Sequence, residues 1–404
     1  MRNFLFYGLW LIVAATLVTA CGDKQSPSPV AEPDTTTPTV PTPTVSRYRT
    51  AAQKSHAYVL ANLLTPYKSY RVNATTDPTS AFEWYNTSQI YADAAMVSIG
   101  ETSHATYMND SFNWMSHFWD DTSPIGGYFG FVRVDGSEKG SDSLKYIDDN
   151  ALSGVVYLDA YEVSTGAMKA AYLDKAKACA NWLIKSGAWD TTFDGGFWWN
   201  TAKTVKPTQS NGLAMQLFAR LYALTGEAVY REWATAVDKW LSTKLYESST
   251  GLFVWQIDRA GKRFTEKFTY DNAIMVEAFL VYGQAMKDPS YLVKAQALGN
   301  AMNRTLWDKT HNVYIFNTSD LRVTPAWCGW GSQAMIKLYE ADQNTAWLGY
   351  AQGNIDAINT VLRDPASHGY YQFASLNGAG RYANIEGVDV AWMQRIQALL
   401  STYR

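Results

Sequence analysis

Helices that are apolar on nearly every side alternate along this chain with helices that carry charges on one face. A helix without a polar face must be buried on all sides, and the amphipathic helices can form the layer that covers it. The sequence therefore predicts one all-α domain, an (α/α)6 barrel of six inner and six outer helices. The predicted inner helices are Trp84–Ile99, Asn150–Val163, Asn211–Leu224, Asn272–Met286, Gly331–Tyr339 and Val388–Leu400.

An internal repeat supports this arrangement. The string Tyr-x-x-x-Ala begins at Tyr172, Tyr230 and Tyr291, and a variant of it begins at Trp347. The separations are 58, 61 and 56 residues (230−172, 291−230 and 347−291). A period of about 60 residues fits one helical hairpin plus a loop.

The connections between the predicted helices differ in length. A tight turn follows each inner helix, as at Ser164-Thr165-Gly166, whereas a long segment rich in Gly and Trp follows each outer helix, as at residues 186–210. All the long loops must then lie at the barrel end where the inner helices begin. Because binding sites commonly lie on ordered loops of a rigid scaffold, we expect the functional site at that end.

Two adjacent carboxylates occur where a polar loop becomes an apolar helix. The segment Lys145–Gly154 reads KYIDDNALSG and contains Asp148 and Asp149. Two neighbouring aspartates at a helix N-terminus repel each other, so their pKa values should move apart, as a nucleophile and a general acid require. Glycosidases that retain configuration hold two such carboxyl groups about 5 Å apart. The alternative is helix capping, with Asp148, Asp149 or Asn150 as the N-cap residue.

Other inner helices also begin with polar residues, close in sequence to tryptophans. Polar groups set among large aromatic faces predict a ligand cleft, and flat aromatic rings suit the apolar faces of sugars. Helix capping is the alternative for Asn211, and core packing is the alternative for each tryptophan. The candidate substrate-binding residues are Asn150, Trp198, Trp199, Asn211, Tyr270, Asp271, Trp327 and Trp330. A second acidic pair, Asp120-Asp121, lies in a predicted turn and is at most a substrate contact.

The N-terminal residues are typical of export. An apolar run from Phe4 to Ala20 follows Met1-Arg2 and ends in small residues before Cys21, as in a secretory signal. The run is on the short side for a transmembrane anchor, which is the alternative. The junction resembles a bacterial lipobox, and this resemblance implies cleavage before Cys21 and lipid attachment to it.

The segment after Cys21 has a composition unlike the rest of the chain. It is rich in Pro, Thr and Ser and holds almost no large apolar side chain, so it cannot form a core. We predict a signal peptide at residues 1–20, a tether at 21–46 and a globular domain at 47–404. The protein would be lipid-anchored in a bacterial cell envelope, at the outer membrane or the cell surface.

Composition argues against several other classes. The net charge is −3 and no basic cluster occurs, so nucleic acid is not an expected partner. The five histidines show no paired spacing typical of metal ligands, and we predict no metal and no cofactor. Cys179 and Cys328 leave one disulfide possible. We expect a monomer.

Several motifs together resemble glycoside hydrolase family 76, which comprises bacterial endo-α-1,6-mannanases and fungal cell-wall enzymes. The motifs are YIDDNALSG, GGFWWN at residues 195–200, TQSN at residues 208–211, and the turns Thr165-Gly166 and Thr225-Gly226. The likeness runs from about Trp84 to Leu362. It implies an (α/α)6 barrel and endo-acting, retaining cleavage of α-1,6-linked mannan without a cofactor. It also implies that Asp148 is the nucleophile and Asp149 the acid/base.

Other functions remain open on the same scaffold. A transglycosylase would share both aspartates and transfer the glycosyl group to a sugar. A non-catalytic glycan-binding lipoprotein would keep the aromatic residues and not need the two acids. A glucuronyl hydrolase would need a basic cluster and a sugar epimerase would need histidines where inner helices begin, and the sequence shows neither.

Overall fold

The computed structural model describes residues 46–122, 126–141 and 143–403. The predicted signal peptide, Cys21 and nearly all of the predicted tether lie outside the described residues. The α-helices of the described part are α1 Arg47–Asn62, α2 Glu83–Ser98, α3 His104–Trp114, α4 Ile147–Val163, α5 Gly166–Lys185, α6 Thr208–Thr225, α7 Ala228–Lys244, α8 Thr269–Met286, α9 Ser290–Thr305, α10 Pro325–Asp342, α11 Thr345–Leu362 and α12 Gly387–Leu400.

The even-numbered helices form a closed inner ring. Each packs on the next, from α2 through α4, α6, α8 and α10 to α12, and α12 packs back on α2. The odd-numbered helices lie outside, each packing on a neighbouring inner helix, and α1 packs on α12. The predicted (α/α)6 barrel is confirmed. Among the described residues, no helix is both long enough and apolar enough to cross a membrane.

Short antiparallel strands connect the helices. They are β1 Ser80–Phe82, β2 Phe131–Arg133, β3 Val205–Pro207, β4 Tyr246–Glu247, β5 Leu252–Phe253, β6 Gln256–Asp258, β7 Arg263–Phe264, β8 Trp307–Asp308, β9 Val313–Tyr314, β10 Tyr371–Phe373 and β11 Tyr382–Ile385. The pairs are β1 with β2, β4 with β5, β8 with β9 and β10 with β11, and β6 lies between β3 and β7.

A six-fold pattern organises the loops that follow the outer helices. In each loop two residues form an antiparallel bridge, and the second is always Tyr or Phe. The pairs are Leu64–Tyr70, Trp119–Tyr128, Trp189–Phe197, Tyr246–Phe253, Trp307–Tyr314 and Arg363–Tyr370. Each loop therefore closes on itself before the next inner helix begins.

These loops are also bonded to one another around the barrel. The backbone amide that begins an inner helix donates to a carbonyl of the following loop, as from Ile147 to Trp199 (2.8 Å) and from Thr208 to Trp255 (2.9 Å). The amide of Gly387 in α12 donates to Val72 in the loop after α1 at 2.9 Å, which closes the ring. The barrel end predicted to carry the site is thus a connected, fixed surface.

Both remaining cysteines are buried free thiols, Cys179 in α5 and Cys328 in α10. The disulfide that the sequence left possible is therefore not formed. Burial raises the pKa of the Cys328 thiol to about 12, so this group behaves as a small apolar side chain.

Candidate active site

Asp148 and Asp149 are the second and third residues of α4. The residue before the helix, Tyr146, has extended dihedral angles and no side-chain capping bond. The alternative that Asp148, Asp149 or Asn150 is the N-cap residue is therefore wrong. Both carboxylates lie inside the first helical turn, where the free backbone amides favour negative charge. Asp148 is buried and Asp149 is half-buried.

The two oxygens of Asp148 have different surroundings. Oδ2 accepts a 3.0 Å hydrogen bond from Nε1 of Trp199, and Oδ1 is buried without a hydrogen-bond partner among the described residues. Burial raises the pKa of Asp148 to about 7, although Trp199 and the backbone amides of Asp148 and Asp149 oppose this rise. One oxygen is therefore held in place, while the other has no hydrogen-bond partner among the described residues.

Glu83, the first residue of α2, is a carboxylate of the site that was not predicted from the sequence. It is fully buried, and its Oε1 accepts hydrogen bonds from Ser153 and from Thr87, the latter at 3.0 Å. Burial, with a smaller contribution from the charge of Asp148, raises its pKa to about 8, although the hydrogen bonds from Ser153 and Thr87 oppose this rise. The sequence predicted that this helix begins at Trp84, which assigned Glu83 to the preceding loop. The signal that could have found it is an acidic residue directly before an apolar helix.

Tyr270 and Asp271 are the second and third residues of α8. Asp271 is fully buried, and neither carboxylate oxygen has a hydrogen-bond partner among the described residues. Burial raises its pKa well above the usual range, the backbone of Gln209 opposes this rise, and the charge of Asp148 adds to it. Burial also raises the pKa of the Tyr270 phenol, helped by the charges of Asp271 and Asp148. The charge of Asp148 therefore raises the pKa of three neighbouring groups, Glu83, Tyr270 and Asp271.

Buried polar atoms without a described partner gather in the first turns of four consecutive inner helices. They are Oε2 of Glu83, Nε1 of Trp84, Oδ1 of Asp148, Oγ of Ser210 and both carboxylate oxygens of Asp271. Buried polar groups almost always have a hydrogen-bond partner. A group of buried polar atoms without partners therefore indicates a place where a ligand or water provides the missing hydrogen bonds.

Half-buried aromatic rings surround this group. Trp199 packs on Tyr146 with ring centroids 5.1 Å apart, and Trp327 packs on Tyr270 at 5.2 Å. Trp255 packs on Phe268 at 5.2 Å. The predicted contacts Trp199, Tyr270, Asp271 and Trp327 therefore all lie at one end of the barrel, as expected.

The side chains of Asn150 and Asn211, which the sequence predicted as substrate contacts, bind backbone groups of the loops instead. Oδ1 of Asn150 accepts from the backbone amide of Tyr128 (2.7 Å), and its Nδ2 donates to the carbonyls of Tyr128 and Tyr146. Asn211 binds Phe197 and Pro207 in the same way. Both amides are fully buried, with every polar atom bonded to backbone, so they position the loops that carry the aromatic rings.

Asn86 and Asn272 repeat this arrangement. Asn86 binds the backbone of Tyr70 and Phe82, and Asn272 binds that of Phe253 and Phe268. Each of the four asparagines is the fourth residue after the N-cap of its helix. Capping of α6 by Asn211 is wrong, because the helix begins at Thr208.

Trp198 and Trp330 are also held by the protein itself. Nε1 of Trp198 donates to Asp190 at 2.6 Å, and the ring lies under Nζ of Lys206. Nε1 of Trp330 donates to Glu277 at 2.9 Å, and the ring packs on Trp392 inside the barrel. Trp330 is 1% exposed and Trp198 is 3% exposed. Both side chains therefore fit core packing, the alternative role that the sequence left open for each tryptophan.

Both residues of the second acidic pair form ion pairs with lysines. Asp120 is buried and binds Nζ of Lys145 at 2.6 Å, which together with Thr122 lowers its pKa to about 2 despite burial. Asp121 is exposed and pairs with Lys139 at 3.3 Å. The Asp120–Lys145 pair fixes the loop immediately before α4, and Asp190–Lys206 and Glu247–Lys267 repeat it before α6 and α8.

Comparison with known proteins places the chain in a family. The family model for "Glycosyl hydrolase family 76" matches residues 50–322. A search of curated protein sequences found no match. Among solved structures, a family 76 α-mannanase of Bacteroides thetaiotaomicron superposes with a TM-score of 0.73 at 18% identity, over 88% of this chain and 96% of that chain.

Two other similar structures differ in chemistry. An inactive variant of an α-1,6-mannanase from Salegentibacter sp., in complex with α-1,6-mannotriose, has a TM-score of 0.69 at 16% identity, covering 88% of this chain and 99% of that chain. A D-mannose isomerase has a TM-score of 0.70 at 13% identity, covering 90% and 100%. These likenesses show the barrel fold, whereas the family match covers most of the chain: the protein belongs to glycosyl hydrolase family 76 and is a glycoside hydrolase.

Proposed function

We propose that this glycoside hydrolase cleaves α-1,6-mannosidic linkages within mannan chains with retention of configuration. The observation that carries the proposal is the Asp148 carboxylate, with Oδ2 fixed by Trp199 and Oδ1 unpartnered beside Asp149. A nucleophile needs one oxygen free to attack and a carboxyl group that does not rotate away. The neighbouring, more exposed Asp149 then serves as the acid/base.

The reaction proceeds in two displacements. Oδ1 of Asp148 attacks the anomeric carbon while Asp149 donates its proton to the leaving glycosidic oxygen, giving a glycosyl ester on Asp148. Asp149, now ionised, takes a proton from water, and the resulting hydroxide attacks the same carbon and releases Asp148. Two inversions give net retention.

The other acids of the site reduce the charge around Asp148. With a pKa of about 8, Glu83 holds a proton at neutral pH and faces Asp148 without a negative charge. Asp271, whose pKa burial also raises, is positioned to hydrogen-bond a sugar hydroxyl through either unpartnered oxygen. A neutral carboxyl group can both donate to and accept from a hydroxyl.

The substrate class rests on the family and on similar proteins. The Salegentibacter α-1,6-mannanase is described as inactive when two consecutive aspartates are changed to asparagine, and it was crystallised with α-1,6-mannotriose. This chain has one such pair where an inner helix begins, at Asp148-Asp149. Trp199, Trp255 and Trp327 are half-buried, and we infer that mannosyl rings pack against them.

Sugar isomerisation fits the site less well. Among the described residues, no histidine lies in the first turn of an inner helix, and the one that begins a helix, His104, belongs to outer helix α3. Transglycosylation uses the same two aspartates and remains the second candidate. A glycan-binding protein would have no use for a pair of acids in the first turn of α4.

We also propose the cellular setting from the sequence. The lipobox-like junction at Cys21 supports a lipid anchor in a bacterial envelope, with residues 21–46 as a tether. The polysaccharide is the partner, and the enzyme works as a monomer. Labelling with a radioactive fatty acid, compared between the parent and Cys21→Ala, tests the anchor: label only in the parent supports it, and equal label contradicts it.

The reaction course is tested by proton NMR of the first products from unbranched α-1,6-mannan. Retention gives the α-anomer first, and endo cleavage gives a mixture of oligosaccharides before any mannose. Initial β-anomer or mannose as the first product would overturn the proposal. Addition of excess mannobiose separates the second candidate, because transfer of a glycosyl group to mannobiose creates no new reducing end, whereas hydrolysis of each linkage creates one.

A further inference from the structure

Three helices bring two histidines and an aspartate together away from the active site. His56 lies in α1, Asp93 in α2 and His104 at the start of α3, and their possible ligand atoms all lie within 4.8 Å of one another. They form the one group of metal-ligand type found among the described residues. The spacing of the histidines along the chain gave no sign of this group, because its members come from three different helices.

Both imidazoles point to the same carboxylate oxygen. Nδ1 of His104 lies 2.8 Å from Oδ1 of Asp93, and Nδ1 of His56 lies 3.3 Å from it. Ligand atoms around a tetrahedral zinc ion, at about 2.0–2.2 Å from the metal, lie roughly 3.4 Å from each other. The His56–Asp93 separation of 3.3 Å matches that spacing, and the His104–Asp93 separation of 2.8 Å is about 0.6 Å shorter. A cation can therefore enter if the His104 ring moves away from Asp93 by about that distance.

A hydrogen bond between His104 and Asp93 explains only half of the cluster. His56 is 7% exposed, and neither of its ring nitrogens has a hydrogen-bond partner among the described residues. Its ring lies against His104 at 4.0 Å and edge-on to Tyr107 at 4.9 Å, so water has little access from these sides. A buried imidazole whose ring nitrogens lack partners is unfavourable, and a cation between His56 and Asp93 would supply a bond to Nδ1.

We propose that His56, Asp93 and His104 bind one divalent cation of the zinc class, which fastens α1 and α3 to α2. Two neutral imidazoles and one carboxylate are a ligand set that zinc and its transition-metal neighbours accept. Nε2 of Gln394 donates to Oδ1 of Asp93 at 3.0 Å and so helps to hold the carboxylate, and a water molecule completes the coordination. Asp93 lies ten residues after Glu83 (93−83), about 15 Å along α2, so the cation is structural.

A cation at this position would stabilise the closure of the barrel. The barrel closes where α12 meets α2, and the terminal helix α1 packs chiefly on α12. A bond from α1 to Asp93 of α2 ties the first helix of the chain across that closure. Metal binding that exists only in the folded state adds its binding free energy to stability.

The test uses the full-length protein, stripped with a chelator and titrated with Zn²⁺ or Co²⁺. We expect one Zn²⁺ per chain, a higher Tm on adding Zn²⁺, and visible absorption bands of tetrahedral Co²⁺. His56→Ala should weaken Zn²⁺ binding by roughly 100-fold or more, since even outer partners of metal ligands contribute about 10–100-fold. His311→Ala is the matched control, because His311 pairs with Asp308 at 2.9 Å on the surface.

His56→Gln keeps a side chain of similar size if His56→Ala does not fold. Loss of stoichiometric Zn²⁺ uptake in either His56 variant, with uptake kept in His311→Ala, supports the site. The proposal is overturned if the stripped parent takes up no stoichiometric metal and shows neither a Tm rise nor Co²⁺ bands, whatever the variants do. It is also overturned if His56→Gln binds Zn²⁺ as tightly as the parent.

Discussion

Nε1 of Trp199 donates a 3.0 Å hydrogen bond to Oδ2 of Asp148, and Oδ1 of the same carboxylate has no partner among the described residues. The bond joins a loop residue to the first turn of α4, and the backbone carbonyl of Trp199 also accepts from the amide of Ile147 at 2.8 Å. The loop therefore fixes both the start of the helix and the orientation of the carboxylate that we propose as nucleophile.

Replacing Trp199 by Phe should lower kcat/KM by about 10- to 100-fold, because a hydrogen bond to a charged group contributes roughly 1.5–3 kcal/mol. The indole bond lowers the pKa of Asp148, which burial raises to about 7. Its loss should raise that pKa, so the acid limb of the kcat/KM profile against pH should move to higher pH. Trp198→Phe is the control, since Trp198 donates to Asp190 and not to Asp148. An unmoved acid limb in Trp199→Phe would count against Asp148 as the ionised nucleophile.

The stability of the protein should fall as pH rises from about 4.5 to 8. Burial raises the folded-state pKa of Glu83 to about 8 and that of Asp148 to about 7, so the folded protein binds more protons than the unfolded chain in this window. Stability from the neutral carboxyl groups is fully present below their unfolded pKa values and is lost as pH rises through the folded ones. A folded-state pKa that lies one pH unit above the unfolded-state pKa corresponds to about 1.4 kcal/mol.

Glu83→Gln isolates this effect, because Gln can still accept from Thr87 and Ser153 but cannot ionise. Urea unfolding should show a smaller fall with pH for this variant, and at pH 8.5 it should be more stable than the parent. Glu232→Gln on the exposed face of α7 is the control and should follow the parent. If Glu83→Gln showed the parent's full pH dependence, Glu83 would not be a buried proton carrier.

Asn211→Ala should destabilise the protein without a selective loss of substrate binding. The change leaves the backbone amide of Phe197 and two carbonyls without their partner, at about 1–3 kcal/mol for each unsatisfied buried group. Asn272→Ala should have a similar effect, since its side chain makes the equivalent bonds. Thermal unfolding and KM are the measurements. A large rise in KM for Asn211→Ala alone, with Tm unchanged, would instead support the prediction that Asn211 contacts the substrate.

The sequence was sufficient to predict the alternation of helices, because burial on all sides requires an apolar surface all round and this shows directly in the residues. Helix starts were harder to place. α10 begins at Pro325 and not at Gly331, since the inner helices begin at residues with extended dihedrals and no side-chain cap. Glu83 was missed for the same reason.

The role of the asparagines could not be derived from their own neighbourhoods. Asn150 and Asn211 look like polar residues at a binding rim, yet they bind backbone groups of Tyr128 and Phe197, which lie 22 and 14 residues earlier in the preceding loops. Trp198 and Trp199 are adjacent, and only the bridged loop decides that the first donates to Asp190 and the second to Asp148. Contacts of this kind depend on tertiary structure, which local patterns do not contain.

The central claim is tested most directly by release of reducing ends from unbranched α-1,6-mannan by the full-length protein and three variants. Asp148→Asn and Asp149→Asn should each lose at least about a thousandfold in kcat, since nucleophile and acid/base are both required. Asp121→Asn changes an exposed member of the second acidic pair and should cut like the parent. Equal cutting by Asp148→Asn and the parent would contradict the proposed site, and a folded parent that releases no reducing ends would contradict the proposed substrate.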